Sequence, residues 1–227
     1  MSDDRDLILG RIRAALADVP PAESAAWSLD AEPDDPGVRY GRGLAATAHE
    51  QVALFDERCS DYHATVTRCG SAAAEISATV AAICTRQGAA KLIAPEDIPS
   101  GWLPEIVEVD RDDGSLAAGE LTHYDGTLTG CSLAIALTGT IVLDAGAGQG
   151  RRLLSLVPDL HICVVRADQV VGSVPEAVAL MGDSARQRRP LTLISGPSAT
   201  SDIELVRVEG VHGPRRLEVV LAGDGAS

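Results

Sequence analysis

The sequence predicts an α/β protein, a mainly parallel sheet flanked by helices. Three observations carry this. Residues 62–109 run strand, helix, strand at the lengths of a βαβ unit, which implies parallel strands joined by right-handed crossovers. Leu160-His-Ile-Cys-Val-Val165 is a nearly unbroken apolar run, the mark of a strand buried on both faces. Aromatic residues make up only 3% of a chain that is 45% hydrophobic, so the core must be Ala, Val, Leu and Ile, which suits helices close-packed on a sheet. A length of 227 residues fits one such domain with a small N-terminal appendage.

Taken in order, the chain divides into an amphipathic helix at 1–19, a flexible linker at 20–44, the α/β domain at 45–222 and a frayed tail at 223–227. In the first helix Ile8, Ile12, Ala15, Leu16 and Val19 share a face, Asp3, Asp4 and Asp6 suit its positive amino end, and Pro20-Pro21 stops it. The apolar stripe is too narrow to hold a helix alone, so it docks on the domain or on a partner. Residues 20–43 carry Pro20, Pro21, Pro33 and Pro36 and no apolar period, which reads as a linker or as a lid.

The domain opens with a helix from His49 to Cys59 and a strand from Tyr62 to Thr67. A second helix follows from Ser71 to Gln87, lined by Ile76, Val80, Ile83 and Cys84, with Ser71 as its cap and Gly88 as its stop. Lys91-Leu-Ile-Ala94 is a strand ended by Pro95, and Ile106 to Val109 is another. The centre of the chain is Cys131-Ser-Leu-Ala-Ile-Ala-Leu137 running into Thr138-Gly-Thr-Ile-Val-Leu-Asp144. This is shorter than the roughly 20 apolar residues of a membrane span. It reads as two buried strands with a bend at Thr138-Gly139-Thr140, or as one central strand with a bulge there. A Gly-rich loop, Ala145 to Gly150, leads to the buried strand at Leu160–Val165. A helix at Val174–Met181 has Pro175 in its first turn, and strands at Leu191–Ile194, Ile203–Val208 and Leu217–Leu221 complete the domain.

A formal net charge of -14 argues against a general nucleic-acid binder and against an anionic membrane surface, both of which demand a positive face. The positive charge is uneven, however. Arg151-Arg152, Arg186, Arg188, Arg189 and Arg215-Arg216 all fall in the C-terminal half, where a local anion site can form. The five cysteines (Cys59, Cys69, Cys84, Cys131, Cys163) show neither a C-x-x-C pair nor zinc or iron–sulfur spacing. They read as buried free thiols in a reducing cytosol, with no metal and no cofactor expected. The acidic Met-Ser-Asp-Asp start, with no apolar run behind it, does not read as a signal peptide, so a cytoplasmic location is expected.

Ser195-Gly-Pro-Ser-Ala-Thr-Ser-Asp-Ile-Glu204 follows a strand and is rich in small polar residues. Such a run exposes backbone N–H groups and hydroxyls at a strand's carboxyl end, where open α/β sheets bind ligands. It can hold a phosphate or carboxylate, or it is a polar turn stabilised by its own Ser and Asp side chains. Gly210-Val-His212-Gly213-Pro214 is a tight turn whose His points into a cleft or simply closes the turn. His161 heads an apolar strand and is expected to be hydrogen-bonded within the fold. Arg151-Arg152 closes over an anion or is solvated. No dinucleotide fingerprint, P-loop, nucleophile elbow or Ser-His-Asp arrangement is present, and Cys131 and Cys163 sit in apolar runs that raise a thiol's pKa.

Five blocks, Thr138-Gly-Thr-Ile-Val-Leu143, Arg151-Arg-Leu-Leu-Ser-Leu-Val-Pro-Asp-Leu-His161, Val164-Val-Arg-Ala-Asp-Gln-Val170, Ile194-Ser-Gly-Pro-Ser198 with Ser201-Asp-Ile-Glu204, and Gly210-Val-His-Gly-Pro214, come in an order that closely resembles the LUD-domain family, in its lactate-utilisation protein C branch. The likeness covers roughly residues 45–222. It implies a fold like that of the glucosamine-phosphate deaminase, ribose-phosphate isomerase and CoA-transferase group, with a cleft at strand ends. It also implies a function: the cluster-free, accessory member that works beside two iron–sulfur partner proteins in bacterial oxidation of L-lactate to pyruvate. The alternative is a stand-alone enzyme on a small phosphorylated or acyl (CoA-type) substrate. The family often has an acidic or polar residue before Thr-Gly-Thr and an Arg after Gly-Pro-Ser; here Leu137 and Ala199 stand there, which argues against catalysis by this chain alone. The resulting candidate site for a small anionic ligand comprises Thr138, Gly139, Thr140, Arg152, Ser195, Gly196, Pro197, Ser198, Asp202, Glu204, His212 and Gly213, with no catalytic residue assigned.

Overall fold

The computed structural model describes residues 8–11, 14, 44, 46–201, 207–209 and 213–223, with backbone alone at 199–201 and 207–209. The chain divides into two units, 1–40 and 41–227. In the first, residues 8–11 and 14 are helical and Ile8 is exposed; the rest of the expected amphipathic helix, and the expected linker up to residue 43, lie outside the described residues. The second unit carries the sheets.

Its main sheet has six strands, all parallel: β1 (Thr65–Cys69), β2 (Lys91–Pro95), β3 (Glu108–Asp112), β4 (Gly126–Thr129), β7 (Leu160–Arg166) and β12 (Arg216–Ala222), in the order β1-β12-β7-β4-β2-β3. The centre of the sheet is set by β7 and β12, whose side chains feed two cores because successive residues point to opposite faces. Cys163, Val165, Leu217, Val219 and Leu221 face one core with Val52, Phe55 and Cys59 of helix α1 (Ala48–Asp61). Ile162, Val164, Val220 and Ala222 face the other, with Ile76, Val80, Ile83 and Cys84 of α2 (Ala73–Gln87). Both helices thus bury one stripe at three- and four-residue spacing.

Local sequence explains where these helices begin and end. Thr47 and Glu50 form a capping box on α1, with Thr47 N donating to Glu50 Oε2 (2.7 Å) and Glu50 N to Thr47 Oγ1 (3.3 Å). At α2 the cap is Ala72 rather than the expected Ser71. The Glu75 carboxylate accepts from Ala72 N at 3.3 Å, and the helix begins one residue later than a Ser71 cap would give. Gly88 ends the helix in the left-handed region at φ 68°, as the sequence predicts.

Two expected strands shift. The strand expected at Tyr62–Thr67 is β1 at Thr65–Cys69, because α1 continues to Asp61 and His63 turns the chain at φ 65°. The strand expected at Ile106–Val109 is β3, and Ile106 is exposed. Pairing with β2 fixes the register at Lys91↔Glu108, and this charged edge strand is held by Lys91 Nζ against Glu108 (2.9 Å) and Asp110 (3.1 Å).

The central apolar segment is not part of the main sheet. Its halves are β5 (Leu133–Ile135) and β6 (Thr140–Leu143), an antiparallel pair in a second, four-stranded sheet ordered β8-β5-β6-β9, with β8 at Val170–Val171 and β9 at Thr192–Ile194. This bears out two buried strands and excludes the bulge. One face of the small sheet (Ala134, Ile141, Leu143) joins the α1 core. The other (Leu133, Ile135, Val142) packs on Ala177 and Met181, from and just after α4 (Val174–Leu180). A four-residue helix, α3 (Ala118–Leu121), precedes β4, and a short helix, α5 (Gly182–Arg186), follows α4. The polar run after β9 forms β10 (Ala199–Ser201), antiparallel to β11 (Arg207–Glu209), where a loop alone is expected; β11 covers the end of the strand expected at Ile203–Val208. No helix among the described residues is long and apolar enough to cross a membrane.

Candidate anion-binding cleft

The Thr-Gly-Thr turn and the Ser195 loop meet. The β6–β9 ladder pairs Ile141 with Ile194, and one step further Thr140 Oγ1 lies 2.7 Å from Ser195 Oγ. Thr140 Oγ1 is also 2.7 Å from Thr138 Oγ1, so three hydroxyls form one chain. The two glycines of these segments serve packing. Gly139 is left-handed (φ 56°), and a Cβ there would stand 2.7 Å from the backbone of Arg58 and Cys59. Gly196 (φ 83°) would place a Cβ 2.4 Å from the Tyr62 carbonyl oxygen. Both turns therefore close on the carboxyl end of α1, and only glycine permits both the dihedral and the approach.

Beside this junction lies a cleft of about 330 Å³, lined by Arg152, Ser155, Leu156, His161, Thr192, Leu193, Ile194, Ser195, Gly196, Pro197, Ser198, Gly213, Pro214 and Leu217. His161 and Leu217 are the second residues of β7 and β12, so the cleft opens at the amino ends of the two central strands. The second sheet brings the carboxyl end of β9 and its polar loop over that edge. The usual ligand position, beyond the carboxyl ends of the main strands, is partly filled here by the Ala145–Gly150 loop. Gly148 O accepts from Gly130 N (2.8 Å), Gly148 N donates to Asp97 Oδ2 (3.0 Å), and Gly150 packs on Pro95.

The neighbouring arginines have separate fates. Arg151 makes a bidentate pair with the buried Asp112 (Nε to Oδ2 2.8 Å, Nη2 to Oδ1 2.9 Å) and donates to the Leu116 carbonyl (2.6 Å). The hydrogen bond to Asp112 raises its pKa further. Arg152, one residue on, opens a single 3-10 turn (Arg152–Ser155) at the cleft mouth and makes no ion pair with any described residue. His161, 1% exposed at the cleft floor, has Nε2 2.8 Å from Thr129 Oγ1, the internal hydrogen bond the sequence predicts.

Beneath the floor lie Cys131 and Cys163. The neighbouring Cys163 thiol and burial push Cys131 up, while the Cys131 thiol, helped by His161, lowers Cys163 from the ordinary thiol value against burial; of the two rises the sequence predicts, only that of Cys131 is found. Burial pushes Cys59 to about 12 and Cys84 to about 11. All five cysteines are free, with Cys69 half-buried and the others buried.

Of the expected site residues, Arg152, Ser195, Gly196, Pro197, Ser198 and Gly213 line the cleft. Thr138, Gly139 and Thr140 stand behind its Ser195 wall and do not line it. Asp202, Glu204 and His212 lie outside the described residues. Sequence reasoning misses Ser155, Leu156, His161, Thr192, Leu193, Ile194, Pro214 and Leu217 as lining residues. It also misses a buried polar centre at Asp144. That carboxylate accepts from Ser184 Oγ (2.6 Å), Arg189 Nη2 (2.6 Å), Gln149 Nε2 (2.9 Å) and Gly146 N (3.1 Å), and Arg189 also donates to Ser184. Burial pushes Asp144 up, but the bonds from Ser184 and Gln149 and the charge of Arg189 hold it below the ordinary carboxylate value. The one signal in the sequence is an Asp ending an apolar strand before a Gly-rich loop.

A parallel six-stranded sheet, a small second sheet folded over its edge and a cleft between them define the class: an α/β domain with a cleft at the seam of two sheets. The chain belongs to the LUD-domain family, whose model matches residues 52–222. It is 52% identical to lactate utilization protein C of Deinococcus radiodurans, over 77% of this chain and 80% of that one. It is 30% identical to lactate utilization protein C of an Exiguobacterium species, over 79% and 80%. The crystal structure of a DUF162 family protein from Deinococcus radiodurans superposes with a TM-score of 0.68 at 43% identity, covering 78% of this chain and 99% of that one.

Proposed function

We propose that the chain is the cluster-free, accessory member of a cytosolic bacterial iron–sulfur system that oxidises L-lactate, and that its cleft takes an organic anion. The lactate part rests on relatives named lactate utilization protein C that match most of the chain. The anion part rests on one observation. The chain carries 33 acidic residues, yet the described cleft lining contains Arg152 and His161 and no carboxylate. An arginine among uncharged described neighbours, in a negative protein, attracts anions locally. Arg152 supplies the charge, and the Ser195–Ser198 turn brings small polar residues to the same cleft.

Oxidation of a 2-hydroxy acid needs an electron acceptor and a base for the hydroxyl proton. We assign the acceptor to the iron–sulfur partners. The test is lactate-dependent reduction of an artificial dye by the pure protein, by candidate iron–sulfur partners, and by the mixture. Turnover only in the mixture, above that of the partners alone, is the expected result. Turnover by the pure protein would replace the accessory reading with a catalytic one.

A further inference from the structure

We propose that the anion taken by the cleft is a monocarboxylate with an extended aliphatic body, larger than lactate. The inference rests on the anion reading above and adds the class of ligand. The cleft of about 330 Å³ has room for roughly ten water molecules by liquid volume. A small hydroxy acid leaves most of that space wet.

Part of the cleft lining is apolar. Leu156, Leu193, Pro197, Pro214 and Leu217 contribute apolar surface to the cleft. Leu193 is 53% exposed in this edge strand although it pairs directly with the buried Val142. Exposed leucine at a cleft mouth gains most from a ligand that covers it. Among the described lining residues the arginine is Arg152, and its neighbour Arg151 is committed to Asp112. Among the described lining residues, one arginine together with these leucines and prolines matches a single anionic head with an apolar chain. They do not match a compact polyanion, which needs cations on several sides.

The test is calorimetric titration of the full-length protein with acetate, butyrate, hexanoate and octanoate, alongside lactate, inorganic phosphate and octanol. Affinity should rise roughly two- to fourfold per added methylene until the apolar lining is covered. Octanoate should bind at least about tenfold tighter than lactate or octanol. Arg152→Gln should bring octanoate down to the level of octanol. Leu193→Ser should flatten the chain-length series while leaving acetate and phosphate unchanged. A flat series in the wild-type protein, with lactate or phosphate equal to octanoate, overturns this inference and leaves the anion reading standing. Binding of no anion at all overturns both. Octanoate binding untouched by either substitution places it elsewhere on the surface and also overturns the inference.

Discussion

Thr140 Oγ1 and Ser195 Oγ lie 2.7 Å apart, directly opposite one another one step beyond the Ile141↔Ile194 pair of the β6–β9 ladder. The bond joins the two Gly-containing turns that carry the family resemblance. It also separates their tasks. The Ser195 side faces the cleft, while the Thr-Gly-Thr side faces α1 and holds the Ser195 strand end in register. The turn at 138–140 is therefore a support for the cleft wall, and its glycine answers to a helix backbone.

Replacing Gly139 with Ala should destabilise the domain far more than replacing Gly88. Both are left-handed, at φ 56° and 68°, so each substitution carries the dihedral cost of about 1–2 kcal/mol. At Gly88 a Cβ meets nothing within 4 Å; at Gly139 it meets the backbone of Arg58 and Cys59 at 2.7 Å, and backbone cannot swing aside. An added overpacking cost of about 1–3 kcal/mol is expected at Gly139 alone. Denaturant unfolding of the two variants measures the difference; equal losses would remove the packing role of this glycine.

Asp144 sets an acid-range dependence of stability. Its folded pKa lies below the ordinary value of about 3.9. A carboxylate held low contributes stability that is complete above its unfolded pKa and is lost as pH falls through its folded pKa. Asp144→Asn should cost about 1–3 kcal/mol near neutrality, at the lower end of buried-pair losses because Arg189 keeps some contact with water. The gap between wild type and variant should be constant above about pH 5 and narrow below about pH 4. Urea midpoints across that range check it; a gap that widens on acidification contradicts the assignment.

Native thiol labelling should be selective. Cys69 is half-buried, whereas Cys59, Cys84, Cys131 and Cys163 are buried. Burial raises Cys59 to about 12 and Cys84 to about 11, so both are protonated and shielded at neutral pH. Short exposure to iodoacetamide followed by peptide mass spectrometry should find Cys69 modified first and the four others only after unfolding. Early labelling of Cys84 would contradict the core packing at α2.

Elements fixed by local pattern are legible in the chain, and those fixed by long-range packing are not. β7 was legible because Ile162, Cys163, Val164 and Val165 are apolar on both faces, and α2 because Ile76, Val80 and Ile83 repeat at helical spacing. β3 was displaced because a charged edge strand has no apolar period: its position comes from pairing with β2. Thr138–Thr140 and Ser195–Ser198 were recognisable as polar segments at strand ends, and their meeting follows from register. That the 138–140 turn lies behind the cleft could not be read, since it depends on where α1 docks. The Asp144–Arg189 pair spans 45 positions and leaves no local pattern. The cleft's place at the amino ends of β7 and β12 follows from how the second sheet folds over the first, which no window of sequence encodes.

The neighbouring arginines give the sharpest separation of stability from binding. Arg151 and Arg152 are chemically identical and adjacent, so composition and net charge change equally when either becomes Gln. Arg151 holds the side chain of Asp112, which is only 3% exposed, by two hydrogen bonds and donates a third to a backbone carbonyl. Removing it leaves a buried carboxylate unpaired, a loss of about 2–4 kcal/mol, reduced from the fully buried case by the partial exposure of the guanidinium. Arg152 makes no ion pair with any described residue and stands exposed at the cleft mouth. Its removal should change stability by less than about 0.5 kcal/mol. The binding effects should run the other way. Arg152→Gln removes the charged donor that faces the cleft and should weaken an organic anion about tenfold or more, the order expected for one charge-assisted hydrogen bond. Arg151→Gln, assayed at a temperature where it is still folded, should leave the anion affinity within about twofold. Thermal unfolding paired with calorimetric titration of both variants tests the assignment. If Arg151→Gln loses the anion and Arg152→Gln keeps it, the ligand lies on the Asp112 side of the 3-10 turn, and the cleft between the two sheets is not its site.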